Sequence, residues 1–146
     1  PELGNNAQLA RRLGLEDARP TQGEQGLLWQ GSLLEPTDRD ALAPHLAEVL
    51  GREPLVVSGG DHKVSRLAWC TGGAQKYIDQ AAQLGVDAYL TGEVSEATVH
   101  AARELGIHFY ACGHHATERY GVQALGERLS EAMGVKHRYV DIDNPA

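Results

Sequence analysis

Positively charged residues are scarce in this sequence, and so are cysteines and long apolar runs. Its 146 residues include 13 lysines and arginines against 20 aspartates and glutamates, which gives a formal net charge of -7. Because binding to a nucleic-acid backbone needs a clustered positive surface, this deficit argues against a nucleic-acid partner, although one small anionic substrate could be held locally. No apolar run approaches the roughly 18 residues of a membrane span and no segment has the pattern of a signal peptide, so we expect a cytoplasmic protein without a membrane partner.

The sequence has only two cysteines, Cys70 and Cys112, and each ends an apolar run. Such positions favour buried, reduced thiols, with a disulfide as the alternative. The chain also begins with PELGNN and no initiator methionine, which predicts a fragment or a processed product. Its length suffices for one compact domain with a core, or for two very small lobes.

Residues 1–26 predict a helix followed by a loop. Asn5 or Asn6 can cap a short helix that runs to Arg12, and Gly14 can end it. The glycine- and glutamine-rich sequence TQGEQG then predicts a loop that closes this part of the chain.

Residues 27–62 predict a small β-α-β lobe. The sequences LLWQGSLL and PLVVS are typical of strands, and TDRDALAPHLAEVLG between them has the apolar spacing of a helix. We expect Thr37 to cap this helix, Gly51 to end it, and Pro44 to weaken it or confine it to the part after the proline. The apolar stripe of the helix consists of Leu42, Leu46, Val49 and Leu50.

Residues 63–146 contain a weak internal repeat, in which AWCTGG, AYLTGE and FYACGH align at offsets of 20 and 21 residues. Each apolar run precedes a helical pattern that ends at a glycine, and HRYVDI adds a last strand. Such alternation predicts an α/β fold, with a mainly parallel sheet built from repeated β-α units and helices packed on it. The predicted helices are Gln75–Leu84, Ser95–Leu105 and Ala116–Met133.

Gly73, Glu93 and His114 are the first residues after the three repeated strands. Ligands of parallel α/β sheets bind outside the carboxyl ends of the strands, so these residues should lie along one edge of the sheet. The turn CTGGAQ could offer backbone N–H groups to an anion, and a tight turn without a ligand is the alternative. Glu93 is a candidate general base or an acid that orients a metal ligand, unless it only lies near a helix start capped by Ser95.

The segment FYACGHHATERYG places His114 and Glu118 four residues apart, so on a helix they share one face. Apolar residues continue the stripe, which predicts that this face is buried and that the carboxylate has a cation as its partner. An imidazole with a carboxylate suits Zn²⁺, Fe²⁺ or Mn²⁺, whereas an acid in a first turn can also be there only for the helix dipole. The apolar continuation is Val122, Leu125, Leu129 and Ala132.

His115 must point away from His114. It could orient a metal ligand, donate to a substrate or lie solvated on the surface. We therefore take His114 and Glu118 as the metal-binding candidates, and Glu93 and His115 as the catalytic candidates. The other histidines have no partner spacing and are interpreted as surface or structural residues: His45, His62, His100, His108 and His137.

The segments ELGNNAQLA, AWCTGGAQ, TGEVSEATVHAARELGIHFYACGHHATER and DIDNPA resemble the GTP cyclohydrolase I type 2-like family, also called Ngg-interacting-factor-three-like, and most of all its bacterial members. The resemblance covers nearly the whole chain. It implies an α/β fold of two related lobes, a ring-shaped homo-oligomer that is commonly a hexamer, and two divalent metal ions per intact subunit. His114 and Glu118 match the positions that bind these ions, and the glutamate can bridge both.

The resemblance also implies a missing N-terminal half, which would carry a His-His pair and a His/Asp segment. The function it implies is a divalent-metal-dependent hydrolase that uses a metal-activated water on a small substrate, with a nucleotide as one option. The alternative is a non-enzymatic, metal-binding ring that presents a surface to other proteins. The chain by itself should bind divalent ions weakly and be inactive, and Zn, Fe, Mn and Mg are all open as the metal.

Overall fold

The three repeated strands lie in a six-stranded sheet in the computed structural model, which describes residues 2–144. The strands are β1 (Glu16–Pro20), β2 (Trp29–Thr37), β3 (Leu55–Val57), β4 (Val64–Trp69), β5 (Ala88–Thr91) and β6 (His108–Ala111). The helices are α1 (Asn5–Arg12), α2 (Arg39–Leu50), α3 (Ile78–Gln83), α4 (Glu96–Leu105), α5 (His114–Glu118) and α6 (Tyr120–Met133), with short 3₁₀ turns at Glu24–Gly26 and Gln75–Tyr77. The strand order is β1-β2-β4-β5-β6-β3.

The α/β class is confirmed, and so is the parallel arrangement of the repeated strands, because β4 pairs with β5 and β5 with β6 in parallel. The sheet as a whole is mixed, since β1–β2, β2–β4 and β3–β6 are antiparallel. The departure from the mainly parallel sheet that was predicted comes from the N-terminal strands. β1 and β2 are joined by a hairpin loop, which makes them antiparallel, whereas helical crossovers connect the repeated strands.

The predicted β-α-β lobe of residues 27–62 has no sheet of its own. β2 lies between β1 and β4, while β3 forms the opposite edge of the sheet against β6. Two short strands alone would leave backbone groups unpaired and an apolar face uncovered, and the large sheet supplies both kinds of partner. The sheet therefore crosses the boundaries suggested at residues 26 and 62.

Helix α2 continues through Pro44, so the proline does not confine the helix to the part after it. The proline lies in the second turn and removes one backbone hydrogen bond, while the helix still buries its leucine stripe against the core. The N-cap position is Asp38, because Thr37 is still the last residue of β2. Gly51 ends the helix with a φ of 67°, as expected.

Helices α3 and α4 cover one face of the sheet, and α1, α2 and the first turns after β6 cover the other. Ser95 caps α4 by accepting a hydrogen bond from the Thr98 backbone N–H at 3.3 Å, which confirms it as a cap. No helix within residues 2–144 is long and apolar enough to cross a membrane.

The segment after β6 differs from expectation in three ways. The predicted helix Ala116–Met133 is divided into α5 and α6 at Arg119. Its apolar stripe is exposed, with 59% of Val122 and 43% of Leu129 accessible, because no described part of the chain covers this face. The sequence HRYVDI forms no strand. The closing motif DIDNPA ends in residues 145–146, which lie outside the described range.

Candidate functional site

The carboxyl ends of β4, β5 and β6 meet at one edge of the sheet, as the repeat predicted. Backbone hydrogen bonds join the three exits: the Gly92 N–H donates to the Gly72 carbonyl and the Gly113 N–H donates to the Gly92 carbonyl, both at 2.9 Å. These bonds place Glu93 and His114 side by side, with the glycine turn after β4 beneath them.

The His114 ring lies between two carboxylates. Its Nδ1 is 2.7 Å from Glu93 Oε1, and its Nε2 is 3.2 Å from Glu118 Oε2, one helical turn further along α5. The hydrogen bond with Glu93 raises the pKa of His114 and lowers the pKa of Glu93. The side chains are 41% to 45% exposed, so the burial expected of this pair is wrong. The cause is the uncovered face of α5 and α6.

His114 Nε2 and Glu118 Oε2 fit a place beside one metal ion. Two ligand atoms at about 2.0 Å from a tetrahedral ion lie about 3.3 Å apart, close to the 3.2 Å found here. Glu93 holds the other ring nitrogen, which is the usual way in which a carboxylate orients a metal-binding histidine. Between residues 2 and 144, however, no group of three or more His, Cys, Asp or Glu is placed to hold an ion. The described residues therefore do not make a metal site by themselves.

Glycines after β4 make room for these side chains. A Cβ on Gly72 would collide with the Glu118 carboxylate and lie 3.1 Å from His114 Nε2, and the residue has a φ of +72°. A Cβ on Gly73 would lie 2.9 Å from Glu93 Oε1. The turn therefore acts as a floor without side chains under the three polar groups.

The same turn is the one that could offer N–H groups to an anion. The N–H groups of Thr71, Gly72 and Ala74 donate within the protein to Asn6 Oδ1, Thr117 Oγ1 and Thr91 Oγ1, at 3.0, 3.0 and 3.2 Å. Two carboxylates also lie directly above the turn. The structure favours the tight-turn interpretation, because three of the turn's N–H groups already donate within the protein.

Asn5 and Asn6 at the start of α1 accept hydrogen bonds from backbone groups next to the site, a role that the sequence did not reveal. Neither residue caps the helix, since the N-cap is Gly4. Asn6 accepts from the Thr71 N–H and donates to the Leu27 carbonyl at 2.8 Å, while Asn5 Oδ1 accepts from the Gly121 N–H at 2.8 Å. Two poor helix formers in a first turn were the available signal that their side chains have distant partners.

His115 lines the same groove as the other candidates, but its hydrogen bond is with the C-terminal segment and not with them. Its Nε2 lies 3.0 Å from Asp141 Oδ1 in the C-terminal segment, and Arg119 donates to Asp141 Oδ2 at 2.9 Å. The hydrogen bond with His115 lowers the pKa of Asp141. The segment around Asp141 forms one wall of a groove of about 630 Å³, and its lining includes His114, Glu118, Tyr139 and Ile142.

Cys70 and Cys112 are free and buried, which confirms the expectation of unpaired thiols. Burial raises the pKa of Cys70 to about 11 and also raises that of Cys112. Protonated thiols are poor metal ligands and poor nucleophiles. The chemistry of this edge therefore depends on the histidine and the carboxylates.

Comparison with known proteins decides the family. A family model described as Duf34/NIF3 (NGG1p interacting factor 3) matches residues 1–145. The chain belongs to this family. A "GTP cyclohydrolase 1 type 2 homolog" of Allochromatium vinosum is 56% identical over 146 residues, which are 100% of this chain and 58% of that protein. A Pseudomonas aeruginosa relative with the same description is 57% identical over 148 residues, again 58% of its length.

A solved structure shows the same fold. Protein ybgI, described as of unknown function, superposes with a TM-score of 0.94 at 51% identity, covering 100% of this chain and 58% of that chain. The chain thus spans less than two thirds of the length of the relatives that it matches. The relatives bear the word "homolog" in their descriptions, and their names supply no ligand residue.

Proposed function

We propose that this chain supplies part of a divalent-metal centre in a metal-dependent hydrolase, with His114 and Glu118 as metal ligands. The observation that carries the proposal is the 3.2 Å separation between His114 Nε2 and Glu118 Oε2 above a glycine that leaves them room. The remaining ligands would come from the part of the family's full length that this chain does not span. Two divalent ions per complete subunit, of Zn, Fe, Mn or Mg, and a ring-shaped homo-oligomer are parts of the same proposal.

Glu93 has a positioning role in this proposal. Its Oε1 is engaged by His114 Nδ1 at 2.7 Å, and its Oε2 accepts a hydrogen bond from Gln75 Nε2 at 3.3 Å. With both oxygens used, the carboxylate is better placed to fix the tautomer and direction of the His114 ring than to remove a proton from a substrate. Of the two roles predicted for Glu93, the geometry favours the orienting acid.

A divalent ion held at this edge would lower the pKa of a bound water and polarise the bond under attack. The residues of this chain would hold and orient that centre. The Glu118 carboxylate has one oxygen beside His114 and the other 3.5 Å from the Thr71 hydroxyl, so its two oxygens point to different places. The substrate is proposed as a small molecule, with a nucleotide as one option taken from the names of the relatives.

The test uses Glu118→Gln in a polypeptide that joins this chain, in the relative's own order, to the unmatched part of the P. aeruginosa protein. The amide keeps the shape of the side chain and removes its charge. We expect metal content after loading with Zn²⁺ or Mn²⁺ to fall sharply, while Glu104→Gln on the exposed side of α4 retains the unmodified protein's stoichiometry. Unchanged stoichiometry in Glu118→Gln would reduce Glu118 to an acid in a first helical turn.

A metal-binding scaffold without catalytic activity is the second candidate. The exposed apolar stripe of α6 favours it, because a large uncovered apolar face is typical of a surface that binds another protein. A screen of phosphoesters and nucleotides with the metal-loaded, joined polypeptide separates the candidates. Turnover that is lost in Glu118→Gln supports the hydrolase, and tightly bound metal without any turnover supports the scaffold.

A further inference from the structure

The C-terminal segment, residues 135–144, forms one side of a pocket of about 290 Å³ between the end of α2 and the start of α5. The rest of the chain lines this pocket with basic side chains, and the segment adds two carboxylates. The basic residues are Arg52, His115 and Arg119, and the carboxylates are Asp141 and Asp143. Within residues 2–144, every carboxylate that lines the pocket thus belongs to the segment, while Glu93 and Glu118 line the neighbouring groove. Without the segment, the pocket would have a positive lining.

Two donors in the pocket meet on one anionic group. His115 Nε2 lies 3.0 Å from Asp141 Oδ1, and Arg119 Nη1 donates to Asp141 Oδ2 at 2.9 Å. Because an ionised carboxylate only accepts hydrogen bonds, Nε2 carries a hydrogen in this contact. Donors directed at two oxygens of one group are suited to carboxylates and to phosphates alike.

Arg119 is held in position without Asp141. Its Nη2 donates to the Leu50 carbonyl at 2.6 Å, and its guanidinium lies 5.5 Å from the centre of the Tyr120 ring. These contacts would keep the guanidinium in place if the segment left the pocket. A binding group that is already oriented loses little freedom when a ligand arrives.

Arg52 brings a second positive charge to the pocket. Its side chain lies across Gly113, the residue before α5, where a Cβ would be 2.8 Å from Arg52 Cδ and 3.0 Å from Nε. The two arginines match the two carboxylates that the segment supplies. One phosphoryl group, with a charge of about −1.5 to −2 near pH 7, could replace both carboxylates.

The segment is fastened mainly by side chains. The Ser130 hydroxyl donates to the Val135 carbonyl at 2.7 Å, and Asp141 is held in the pocket. Among residues 2–144, no hydrogen bond between backbone groups involves residues 136–142. The Asp141 side chain is also 47% exposed. A segment held in this way opens at a low free energy, so a competing anion can take the place of Asp141.

We propose that His115 and Arg119, with Arg52 beside them, bind a phosphoryl group of a small-molecule ligand, and that Asp141 occupies this site when no ligand is bound. His115 and Arg119 also line the groove that contains His114 and Glu118, so the phosphoryl group would lie next to the metal-binding pair. As a statement about the substrate, the inference rests on the proposed function. Binding of the phosphoryl group does not itself require a metal ion.

Inorganic phosphate is the probe, added to the 146-residue chain with a chelator present and followed by ¹H–¹⁵N NMR at constant ionic strength. Asp141→Ala removes the internal competitor. We expect this variant to bind phosphate about 10-fold more tightly than the unmodified chain, in which Asp141 occupies the site in most molecules. The signals of the Arg119 guanidinium should shift, which locates the anion.

A second measurement uses the unmodified chain. Phosphate that displaces Asp141 should release the segment and speed trypsin cleavage after Arg138, because cleavage follows the population of the opened segment. Chloride at the same ionic strength is the control and should leave the rate unchanged.

Further substitutions in the Asp141→Ala chain identify the binding groups. Arg119→Gln and His115→Leu should each weaken phosphate binding at least about 10-fold, since each removes a donor to a charged group. Two variants are used because Arg119 also bonds the Leu50 carbonyl, and urea midpoints show whether either substitution damages the fold. Arg128→Gln, which removes a 68% exposed arginine on α6, is the matched control and should retain the affinity.

Four results would overturn the proposal. An absence of Arg119 shifts in Asp141→Ala would show that Asp141 only fastens the segment. Equal affinities in Asp141→Ala and the unmodified chain would show that the carboxylate does not occupy the binding place. Acetate bound as tightly as phosphate would assign the pocket to carboxylates, and affinity unchanged in both Arg119→Gln and His115→Leu would place the phosphate elsewhere. None of these results depends on the metal content of Glu118→Gln, so the two proposals can fail separately.

Discussion

Strand β6 has one histidine at its first residue, His108, and another three positions after its last, His114. His108 is fully buried, and both its nitrogens are bonded to backbone groups: Nδ1 accepts from the Gly59 N–H at 3.1 Å and Nε2 faces the His62 carbonyl at 2.9 Å. His114 is 44% exposed, and both its nitrogens face carboxylates. The two rings are about one strand length apart and have entirely different partners.

The partners explain why the two histidines titrate in opposite directions. Burial lowers the pKa of His108, and the hydrogen bond with the His62 carbonyl opposes this only in part. The hydrogen bond with Glu93 instead raises the pKa of His114. A ring fixed by backbone groups supports the fold. A ring between carboxylates, open to solvent, can exchange one of its partners for a cation.

Replacing each histidine by alanine should give the largest measurable difference between the two sites, a difference in the free energy of unfolding. His108→Ala should lower the free energy of unfolding by about 3 kcal/mol, because it leaves a cavity and an unpaired Gly59 N–H. His114→Ala removes a half-exposed ring and should change the free energy by less than about 0.5 kcal/mol. Urea unfolding followed by circular dichroism measures both. Similar losses in the two variants would mean that the His114 end is also structural.

Glu93→Gln tests the role of the carboxylate that is hydrogen-bonded to His114. Loss of the charge that orients His114 should weaken metal binding by the joined polypeptide about 10- to 100-fold, equivalent to about 1.4–2.7 kcal/mol. Titration with Zn²⁺ against a competing chelator measures the affinity, and Glu104→Gln is the matched control. An affinity unchanged in Glu93→Gln would remove Glu93 from the site, whatever its distance from His114.

The sequence identified the exposed end of this strand well and the buried end poorly. The glycine turns at 20- and 21-residue offsets predicted parallel strands, and parallel strands bring Glu93 and His114 together. The sequence could not show which faces of the helices are covered, so Glu118 was expected to be buried. It left His108 as either a surface or a structural residue, and the structure shows a structural one, whose partners are backbone groups 46 and 49 residues away. A local sequence pattern shows how residues are spaced along one helix or strand. It does not show which backbone groups from distant parts of the chain will contact them.

Acid should destabilise the protein through His108. Its pKa in the folded state is below the ordinary value of 6.5, so the unfolded chain takes up the proton first as the pH falls. The stabilisation is complete above pH 6.5 and decreases below it, at up to about 1.4 kcal/mol per pH unit. Arg39 nearby also disfavours the charged ring, and Asp87 partly opposes these effects.

His108→Gln separates this effect from that of the other histidines. Between pH 7.5 and 5.5 the unmodified chain should lose about 1 kcal/mol more of its unfolding free energy than the variant does. Urea titrations at the two pH values provide the comparison. Equal losses would show that the buried ring takes up its proton as readily in the folded as in the unfolded state.

His115 is intermediate between His108 and His114 in how it is held. Its hydrogen-bond partner is one side chain, Asp141, which belongs to the C-terminal segment. Asp141 accepts from His115 at 3.0 Å, from Arg119 at 2.9 Å and from the Tyr139 hydroxyl at 3.2 Å. Asp141→Asn removes the charge from all three contacts. Since the carboxylate is 47% exposed, the effect on global stability should be small, about 0.5 kcal/mol or less.

The effect of Asp141→Asn should therefore be local. The segment would leave the helices more often, and trypsin would reach the bond after Arg138 about 3-fold faster at the same global stability, because cleavage follows the population of the opened segment. Asp143→Asn lies two residues further on and is the matched control, expected to be cleaved at the unmodified rate. If both variants are cut alike, the carboxylate at 141 does not fasten the segment and His115 is held only by its own helix. If only Asp141→Asn is cut faster, one carboxylate links His115 to the wall of the groove beside His114.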